Sequence, residues 1–560
     1  MRKSVQRSRD NSTKDWKSSI IVVLICILFV LSTLYAEQPP SPKGNDAHEL
    51  EFSAERAMKH VRAIAQEPHP SGSAANERVR DYLHDQMLAL GLSPSIATSP
   101  HTIDMNDEEK RIDLHNIIGK IKGTEPGKAL MLTAHYDSTP YGPGANDDAV
   151  GVAALLETAR VLQAGSPLER DIWFVITDGE EMGLLGARAF WQDSFTREEI
   201  GLVVNFEARG ASGPSVLFQT SGHNGALIAN FASAAVAPVS SSLLGDLYKT
   251  MPNDTDLTVA LEAGLPGLNF AYIEDWDKYH SAEDTPEYVS LSTLQHHGEN
   301  ALEMAKRFGS MDLSQLQEPD RIYFNWYQLL VHYPASWVVP TTIVLVLIWL
   351  LLAGAWWKRG GVAPTRLALA ISGVLGSMLV SVLLSFCLYL GITSVANAIM
   401  AEEIHSSAIP VQANVVFIAV ALIVHLFVTR IIRYRVNSLE WMLAGMLYYL
   451  LLLIVVVNIL PGASYLLMLP LIIHSVVIGG MLLTDAPIGN LNRIGVLFIL
   501  AVAPLTLTTS FLHLLYSAMP LQINVFSTLL CTIIITLLQP VCSSLVSSRQ
   551  DPHIPINPIG

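Results

Sequence analysis

The distribution of apolar residues divides the chain into two unlike parts. From about residue 336 to the C-terminus, long apolar runs follow one another, each near the length that crosses a bilayer. Between residues 37 and 335 the apolar runs are shorter and polar stretches separate them, as in a soluble domain. One more long apolar run precedes this domain, at residues 18–36. The pattern therefore predicts a soluble domain placed between membrane-spanning segments.

Within residues 37–335 the periodicity alternates between strand and helix. Nearly continuous short apolar runs predict strands, and apolar residues spaced by three and four predict helices. The predicted strands are HNIIGKI, ALMLTAHYD, DIWFVITDG, LVVNFEARG, SVLFQT and GLNFAYI, and the helices are NERVRDYLHDQMLALG, AVGVAALLETARVLQ and LSTLQHHGENALEMAKRF. This alternation predicts an α/β domain with a mostly parallel sheet flanked by helices. Such sheets carry their sites at the carboxyl ends of the strands.

The C-terminal part predicts an all-α membrane domain, residues 336–545. Its candidate spans are residues 336–357, 367–390, 411–429, 439–460, 463–484, 494–517 and 521–545. The run at residues 18–36 fits a cleaved signal peptide or an uncleaved anchor, and its length favours the anchor. The chain then has eight spans. Short polar tails remain at residues 1–17 and 546–560.

Basic residues predict the orientation of these spans. The loops on one side carry Lys358, Arg359, Arg366, Arg430, Arg433, Arg435, Arg493 and Arg549. The loops on the other side, residues 391–410, 461–462 and 518–520, carry no Lys or Arg. Because basic loops stay in the cytoplasm, both termini are expected there and residues 37–335 on the opposite side.

Charge and cysteine content narrow the function of the soluble domain. Residues 37–335 hold 43 acidic and 21 basic side chains, a net charge of −22. This balance argues against a nucleic-acid partner, which would need basic patches. The cysteines, Cys26, Cys387, Cys531 and Cys542, all lie in apolar segments, so this domain has no disulfide and no thiolate metal site. With only one glycosylation sequon in the domain, at Asn253, a bacterial plasma membrane is favoured over a vacuolar or endoplasmic reticulum membrane.

Imidazole and carboxylate side chains follow several predicted strands where those strands end. They are His135, Asp137, Asp147, Asp148, Glu180, Glu181, Glu207 and His280. Each alone has a structural explanation, such as a helix cap for Asp147 or an ion pair with Arg209 for Glu207. Together in one crevice, so many carboxylates require cations. Imidazole nitrogen with carboxylate oxygen is typical of zinc, so the pattern predicts a metal centre.

The order of the motifs resembles a known family. AHYDS, GANDDAVG, TDGEEMGLLG, NFEARG and YHSAEDT resemble the co-catalytic di-zinc aminopeptidases, most of all their membrane-bound branch of vacuolar membrane proteases and FXNA-related endoplasmic reticulum metallopeptidases. The motifs cover roughly residues 110–290, and the C-terminal spans, with PGASY among them, are similar in architecture. The resemblance implies a zinc-peptidase fold, two Zn²⁺ per chain and a membrane-anchored aminopeptidase acting on peptides or proteins. No oligomeric state follows from it.

The resemblance also implies a role for each side chain. Its metal ligands are His135 and Glu207 for one zinc, Glu181 and His280 for the second, and Asp147 for both. Glu180 is the implied general base. Asp137 is expected to fix the tautomer of the His135 imidazole without binding the metal itself. Tyr279 is expected to stabilise the transition state. The simpler secreted relatives have Asp in place of Glu207, whereas the membrane-bound branch has Glu.

The adjacent glutamates are expected to act on different partners. Neighbouring residues at the end of a strand point in different directions. Glu181 can therefore reach a metal while Glu180 reaches the water between the metals. No role is assigned to Asp178, which is expected on the rim or as a hydrogen-bond acceptor. Asp284 and Thr285 are expected to shape the turn of the YHSAEDT motif.

Other functions remain open on the same sequence. A glutaminyl-cyclase-like cyclotransferase would resemble relatives with one zinc that lack the first histidine, so His135 and Glu207 favour hydrolysis with two metals. A non-catalytic receptor or scaffold on this fold is opposed by the intact ligands and Glu180. A transporter would use polar groups in the spans, which are His425, Asn458, His474 and His513. No Asp, Glu, Lys or Arg lies deep in a span, so an anchoring role is favoured.

The orientation can be tested with reporter fusions. A reporter placed after Gln550 should read as cytoplasmic, and one placed in the loop at residues 391–410 should read as exported, because of the loop charges. The reverse pair of readings would contradict the predicted topology.

Overall fold

A computed structural model describes residues 20–21, 23–105, 108–400, 413–432, 434–483, 490–518 and 523–538. The predicted tails at residues 1–17 and 546–560, with Arg433 and Arg549, lie outside these ranges, as do residues 401–410 of the predicted loop at residues 391–410. The chain forms two compact units. One is Glu37–Ala335, and the segments before and after it form the other.

A mixed sheet forms the centre of the unit Glu37–Ala335. Its strands are β1 Ser95–Met105, β2 Glu108–Ile121, β3 Ala129–His135, β4 Ile172–Thr177, β5 Ile200–Ala208, β6 Val216–Thr220, β7 Val239–Ser240 and β8 Gly267–Tyr272. Among the described residues the spatial order is β1-β2-β4-β3-β5-β8-β6-β7. The central strands β4, β3, β5 and β8 are mutually parallel. Antiparallel pairs join β1 to β2, β2 to β4, and β8 to β6.

Helices cover both faces of this sheet. After α1 Val23–Ala36, the helices of the unit are α2 Ala54–Ile64, α3 Ala74–Ala89, α4 Gly151–Ala164, α5 Leu185–Phe190, α6 Ser194–Glu199, α7 Gly225–Ala234, α8 Ser242–Tyr248, α9 Asp256–Glu262 and α10 Leu291–Gly309. The larger core packs α2, α4, α7 and α10 on one face. A smaller core packs α5 and α9 on the other. Because both faces are covered, every residue of β3 and β4 is buried, which explains their uninterrupted apolar sequences.

The predicted α/β class is confirmed, with each predicted strand and helix present. The sequence pattern missed β1, a polar and mostly exposed edge strand that pairs only with β2. An edge strand with little to bury has no reason to be apolar. The pattern also missed a hairpin of β9 Arg321–Trp326 and β10 Leu329–Pro334.

The register of the parallel strands brings the predicted site residues to one edge of the sheet. His135, the last residue of β3, lies level with Thr177 at the end of β4. On its other side Thr133 pairs with Asn205 of β5. Two residues further along each strand, His135 and Glu207 are therefore neighbours on the same face.

The other unit contains apolar helices. They are α11 Val338–Lys358, α12 Pro364–Met400, α13 Ala413–Ile432, α14 Ser438–Ile459, α15 Tyr465–Leu483, α16 Asn490–Ala518 and α17 Ile523–Leu537. Among the described residues, the six helices α11 to α16 are long and apolar enough to cross a membrane. The described parts of α1 and α17 are shorter than that. The predicted spans at residues 18–36 and 521–545 extend beyond the described residues, and they stay predictions.

Polar side chains inside this unit bond mainly to the protein itself. The ring nitrogens of His474 lie 2.8 Å from the Pro470 oxygen and 3.2 Å from the Leu537 oxygen. The Asn458 amide donates to the Ile454 oxygen at 2.7 Å. The contact of His474 with Leu537 joins α15 to α17, whereas the contacts with Pro470 and Ile454 lie within single helices. The anchoring role stays a prediction.

Candidate active site

Asp147 lies in an irregular segment, Ala145–Val150, that leads into α4. A carboxylate from a distant part of the chain holds this segment. Asp284 accepts hydrogen bonds from the Asn146 main chain at 2.8 Å, from the Asn146 amide side chain at 2.9 Å and from the Asp147 main chain at 3.2 Å. Just before this segment, Gly144 has φ +68°, and a Cβ there would lie 2.6 Å from the main-chain oxygen of Asp147. Asp284 thus fixes the segment that carries Asp147, a wider role than shaping its own turn.

The two carboxylate oxygens of Asp147 face two different imidazoles. Oδ1 lies 3.0 Å from His135 Nε2 and Oδ2 lies 3.0 Å from His280 Nε2. Glu207 Oε1 lies 3.6 Å from the same nitrogen of His135, and Glu181 Oε1 lies 3.1 Å from that of His280. In each group of three, the candidate ligand atoms lie within 4.8 Å of one another. The structure thus brings all five predicted metal ligands into two groups that share Asp147.

Asp137 connects the end of β3 to the turn after β4. Its carboxylate accepts hydrogen bonds from the main-chain nitrogens of Glu180 at 3.1 Å and Glu181 at 3.2 Å. The ring of His135 donates through Nδ1 to the main-chain oxygen of Asp137 at 3.0 Å, and the carboxylate is 3.4 Å from the same nitrogen. The main chain and the side chain of Asp137 therefore share the task of orienting His135, and the carboxylate also positions both glutamates.

The carboxylates of the site are under electrostatic strain. Burial raises the pKa of Glu207 to about 7 and, with the added charge of Asp147, that of Glu181 to about 7. Burial also raises the pKa of Glu180 well above its usual value. Asp147 behaves oppositely: burial would raise its pKa, but the hydrogen bonds with His135 and His280 lower it to about 2. Two imidazoles do not balance this many acids, so the site favours cations.

Tyr279 stacks on the ring of His280, with ring centroids 3.7 Å apart. Burial and then the charge of Asp147 raise the pKa of its phenol, so the hydroxyl stays protonated at neutral pH and can donate a hydrogen bond. The structure therefore places the predicted transition-state donor against one of the two groups.

Two further acids lie near the site. Asp178, for which the sequence left a rim charge or a hydrogen-bond acceptor open, is the acceptor, and Asp256 was not predicted. Asp178 is buried rather than on the rim, and it accepts hydrogen bonds from the Ser71 hydroxyl at 2.7 Å and the His115 main chain at 3.0 Å. Asp256, the first residue of α9, was missed altogether. It is buried and accepts a short hydrogen bond from Thr177, whose place in the sheet is beside His135. An acid at the first position of a helix looks like an ordinary dipole partner, which hid Asp256 in the sequence.

Comparison with known proteins supports the family resemblance. Residues 116–305 match peptidase family M28, and this range holds every predicted site residue. A vacuolar membrane protease of Candida dubliniensis is 28% identical over 60% of this chain and 37% of its own length. Endoplasmic reticulum metallopeptidase 1 of Rattus norvegicus is 29% identical over 53% of this chain and 36% of its own. An aminopeptidase from Aneurinibacillus sp. strain AM-1 superimposes with a TM-score of 0.39 at 15% identity, over 48% of this chain and 97% of that one.

The chain therefore carries a peptidase family M28 domain, and the predicted resemblance to membrane-bound metallopeptidases is confirmed. The alignments span little more than a third of the length of these curated relatives. Both curated relatives come from eukaryotes, so they give no support to a bacterial plasma membrane.

The positioning by Asp137 predicts a loss of metal affinity in Asp137→Asn. The amide has a single oxygen, so it can accept from only one of the main-chain N–H groups of Glu180 and Glu181. Its NH₂ group would then face the other N–H, which is also a donor. The affinity for Zn²⁺, measured by competition with a chelator, should fall about 10- to 100-fold. Asp171→Asn is the matched control, because Asp171 pairs with Lys122 at the opposite end of β4. Equal affinities of Asp137→Asn and the control would contradict this role.

Proposed function

We propose that the unit Glu37–Ala335 is a zinc-dependent aminopeptidase with two metal ions, anchored by the helices around it in the chain. One observation carries the proposal: Asp147 offers one oxygen to the group of His135 and the other to the group of His280, each at 3.0 Å. A cyclotransferase with a single zinc would need only one of these groups. A scaffold protein would need neither.

The residues fit zinc in chemistry as well as in position. Two imidazole nitrogens and three carboxylates form the ligand set, which suits Zn²⁺. Glu181 Oε1 is buried and accepts no hydrogen bond of good geometry among the described residues, although His280 Nε2 is 3.1 Å away. An anionic oxygen buried in this way requires a cation.

Zinc bound there would supply a Lewis acid for the scissile carbonyl and lower the pKa of a bound water. Glu180 accepts the proton of the attacking water and then delivers it to the leaving amine. The Tyr279 hydroxyl donates a hydrogen bond to the oxygen on which negative charge develops.

The site would work outside the cytoplasm. The loop charges favour a position of residues 37–335 on the side opposite to both termini. The relatives named as a vacuolar membrane protease and an endoplasmic reticulum metallopeptidase support a location of this chain in such a compartment.

Amide substitutions of the adjacent glutamates should fail in different ways. Glu180→Gln keeps the shape of the side chain but cannot take a proton, so it should retain zinc and lose about 10²- to 10⁴-fold in kcat. Glu181→Gln removes an anionic ligand, so it should lose zinc from the group of His280, and excess zinc should partly restore turnover. The measurements are zinc per chain and turnover with and without added zinc.

Two histidine variants serve as references for that experiment. His280→Ala should resemble Glu181→Gln, whereas His135→Ala should weaken the other metal position. The assignment is wrong if Glu180→Gln stays active, or if it loses zinc while Glu181→Gln keeps it.

The aminopeptidase assignment predicts a requirement for a free α-amine. The acidic site, in a domain of net charge −22, attracts an ammonium group. Peptides with a free N-terminus should be cleaved much faster than their N-acetylated forms, as measured by release of the first residue. Equal rates for the two forms would exclude an exopeptidase of this type.

A further inference from the structure

Arg209 emerges beside the metal-ligand groups. It follows the end of β5, and its main-chain nitrogen donates to the Tyr272 oxygen of β8 at 3.0 Å, so strand pairing continues through it. Alternate residues of a strand share a face, which puts Arg209 on the same face as Glu207. Glu207 in turn faces His135 at 3.6 Å. Arg209 therefore lies next to the group of His135, Asp147 and Glu207.

The Arg209 guanidinium has neither an ion pair nor a hydrogen bond among the residues that the structure describes. The sequence suggested a pair with Glu207, yet no contact within 4.0 Å joins them. Other basic side chains without such a partner, Lys59, Arg62, Lys128 and Arg197, are exposed to solvent, whereas Arg209 is partly buried. Solvent therefore reaches the five N–H donors of Arg209 only in part.

The hydroxyl of Tyr248, at the end of α8, is a second donor without an acceptor. It is buried and has no hydrogen-bond partner among the described residues. The ring is fixed edge-on against Phe218, with centroids 4.8 Å apart. Burial raises the pKa of this phenol, the charges of Glu207 and Glu180 raise it further, and Arg209 opposes them. Phe218 lies on β6 two residues after Val216, and the pairs Val216–Ala271 and Ala271–Glu207 put Val216 level with Glu207 across β8. Tyr248 therefore packs on the sheet near the strand end that carries Glu207 and Arg209.

An acceptor is missing at this place. A guanidinium and a phenol hydroxyl are the donors that bind carboxylates, and the guanidinium can do so through two parallel hydrogen bonds. Asp254 is near enough to raise the pKa of Tyr248, but it is exposed and forms no ion pair among the described residues. Lys278, two residues before His280, is already paired with Asp277 and Glu283, and the carboxylates of the site would repel an anionic substrate group.

We propose that Arg209 and Tyr248 bind a carboxylate on the leaving residue of the substrate, next to the scissile bond. The proposal rests on the peptidase function above and adds a substrate class to it. Two peptides present this chemistry. In a dipeptide the group is the C-terminal α-carboxylate, and in a longer peptide it is the side chain of Asp or Glu after the cleaved bond.

Matched substrates separate the two sources. Leu-Gly against Leu-Gly-NH₂ tests the α-carboxylate, and Leu-Asp-NH₂ against Leu-Asn-NH₂ tests the side chain. The quantity is the ratio of kcat/KM within each pair, measured on the full chain with zinc. The wild type should show a ratio of about 10 to 100 in at least one pair, the range of charge-assisted hydrogen bonds.

Substitutions then assign that ratio to the two donors. Arg209→Gln should bring the ratio near one, and Arg209→Lys should leave an intermediate value because it loses the two-pronged geometry. Tyr248→Phe keeps the packing on Phe218 and should lower the ratio less. Arg188→Gln is the control, since it removes one positive charge from a surface pair with Glu262. Ratios near one in the wild type, or an unchanged ratio in Arg209→Gln, would overturn the proposal.

A binding experiment separates this proposal from the proposed reaction. Calorimetry with Glu180→Gln protein measures affinity for Leu-Gly and Leu-Gly-NH₂, and for Leu-Asp-NH₂ and Leu-Asn-NH₂, without turnover. In each pair one peptide carries the carboxylate and the other carries an amide in its place. If the carboxylate peptide binds more tightly and Arg209→Gln removes that preference, the carboxylate site stands even where the wild type hydrolyses nothing. If the wild type hydrolyses all four peptides with no preference, the peptidase stands and the carboxylate site is wrong.

Discussion

Mutual repulsion of buried carboxylates is the constraint on which this site depends. Asp147, Glu181 and Glu207 converge where the sheet and its helices exclude most water. Each unpaired charge buried in such a place costs several kcal/mol, about 3–5 when a partner is removed. Asp147 relieves part of this cost by giving each of its oxygens to a different imidazole at 3.0 Å. The remaining acids still repel one another, which favours the binding of cations at this site.

Residues that are not metal ligands hold this arrangement together. Asp284 binds the main chain of Asn146 and Asp147 from a loop more than 130 residues away. Asp137 binds the main chain of Glu180 and Glu181 from the neighbouring strand. Each of these two buried carboxylates accepts two main-chain hydrogen bonds. The positions of the ligands therefore follow from backbone contacts across the sheet edge and not from the ligand side chains alone.

Much of this was predictable from the sequence, for physical reasons. Strands buried on both faces are apolar throughout, so β3, β4 and β5 stood out, and the polar residues after them had to lie at one edge. The acids that hold the structure through hydrogen bonds were harder to predict. Asp178 carries no mark that distinguishes an exposed rim charge from a buried acceptor, because its partners Ser71 and His115 are distant in sequence. The unpaired state of Arg209 depends on three-dimensional neighbours that no spacing along the chain reveals.

The central claim is that one carboxylate, Asp147, lies between two zinc ions. Anomalous diffraction at the zinc edge, on crystals of the full chain grown with zinc, tests this most directly. The account predicts two peaks about 3.5–4 Å apart, one on each side of the Asp147 carboxylate. A single peak, or two peaks that do not flank Asp147, would contradict it.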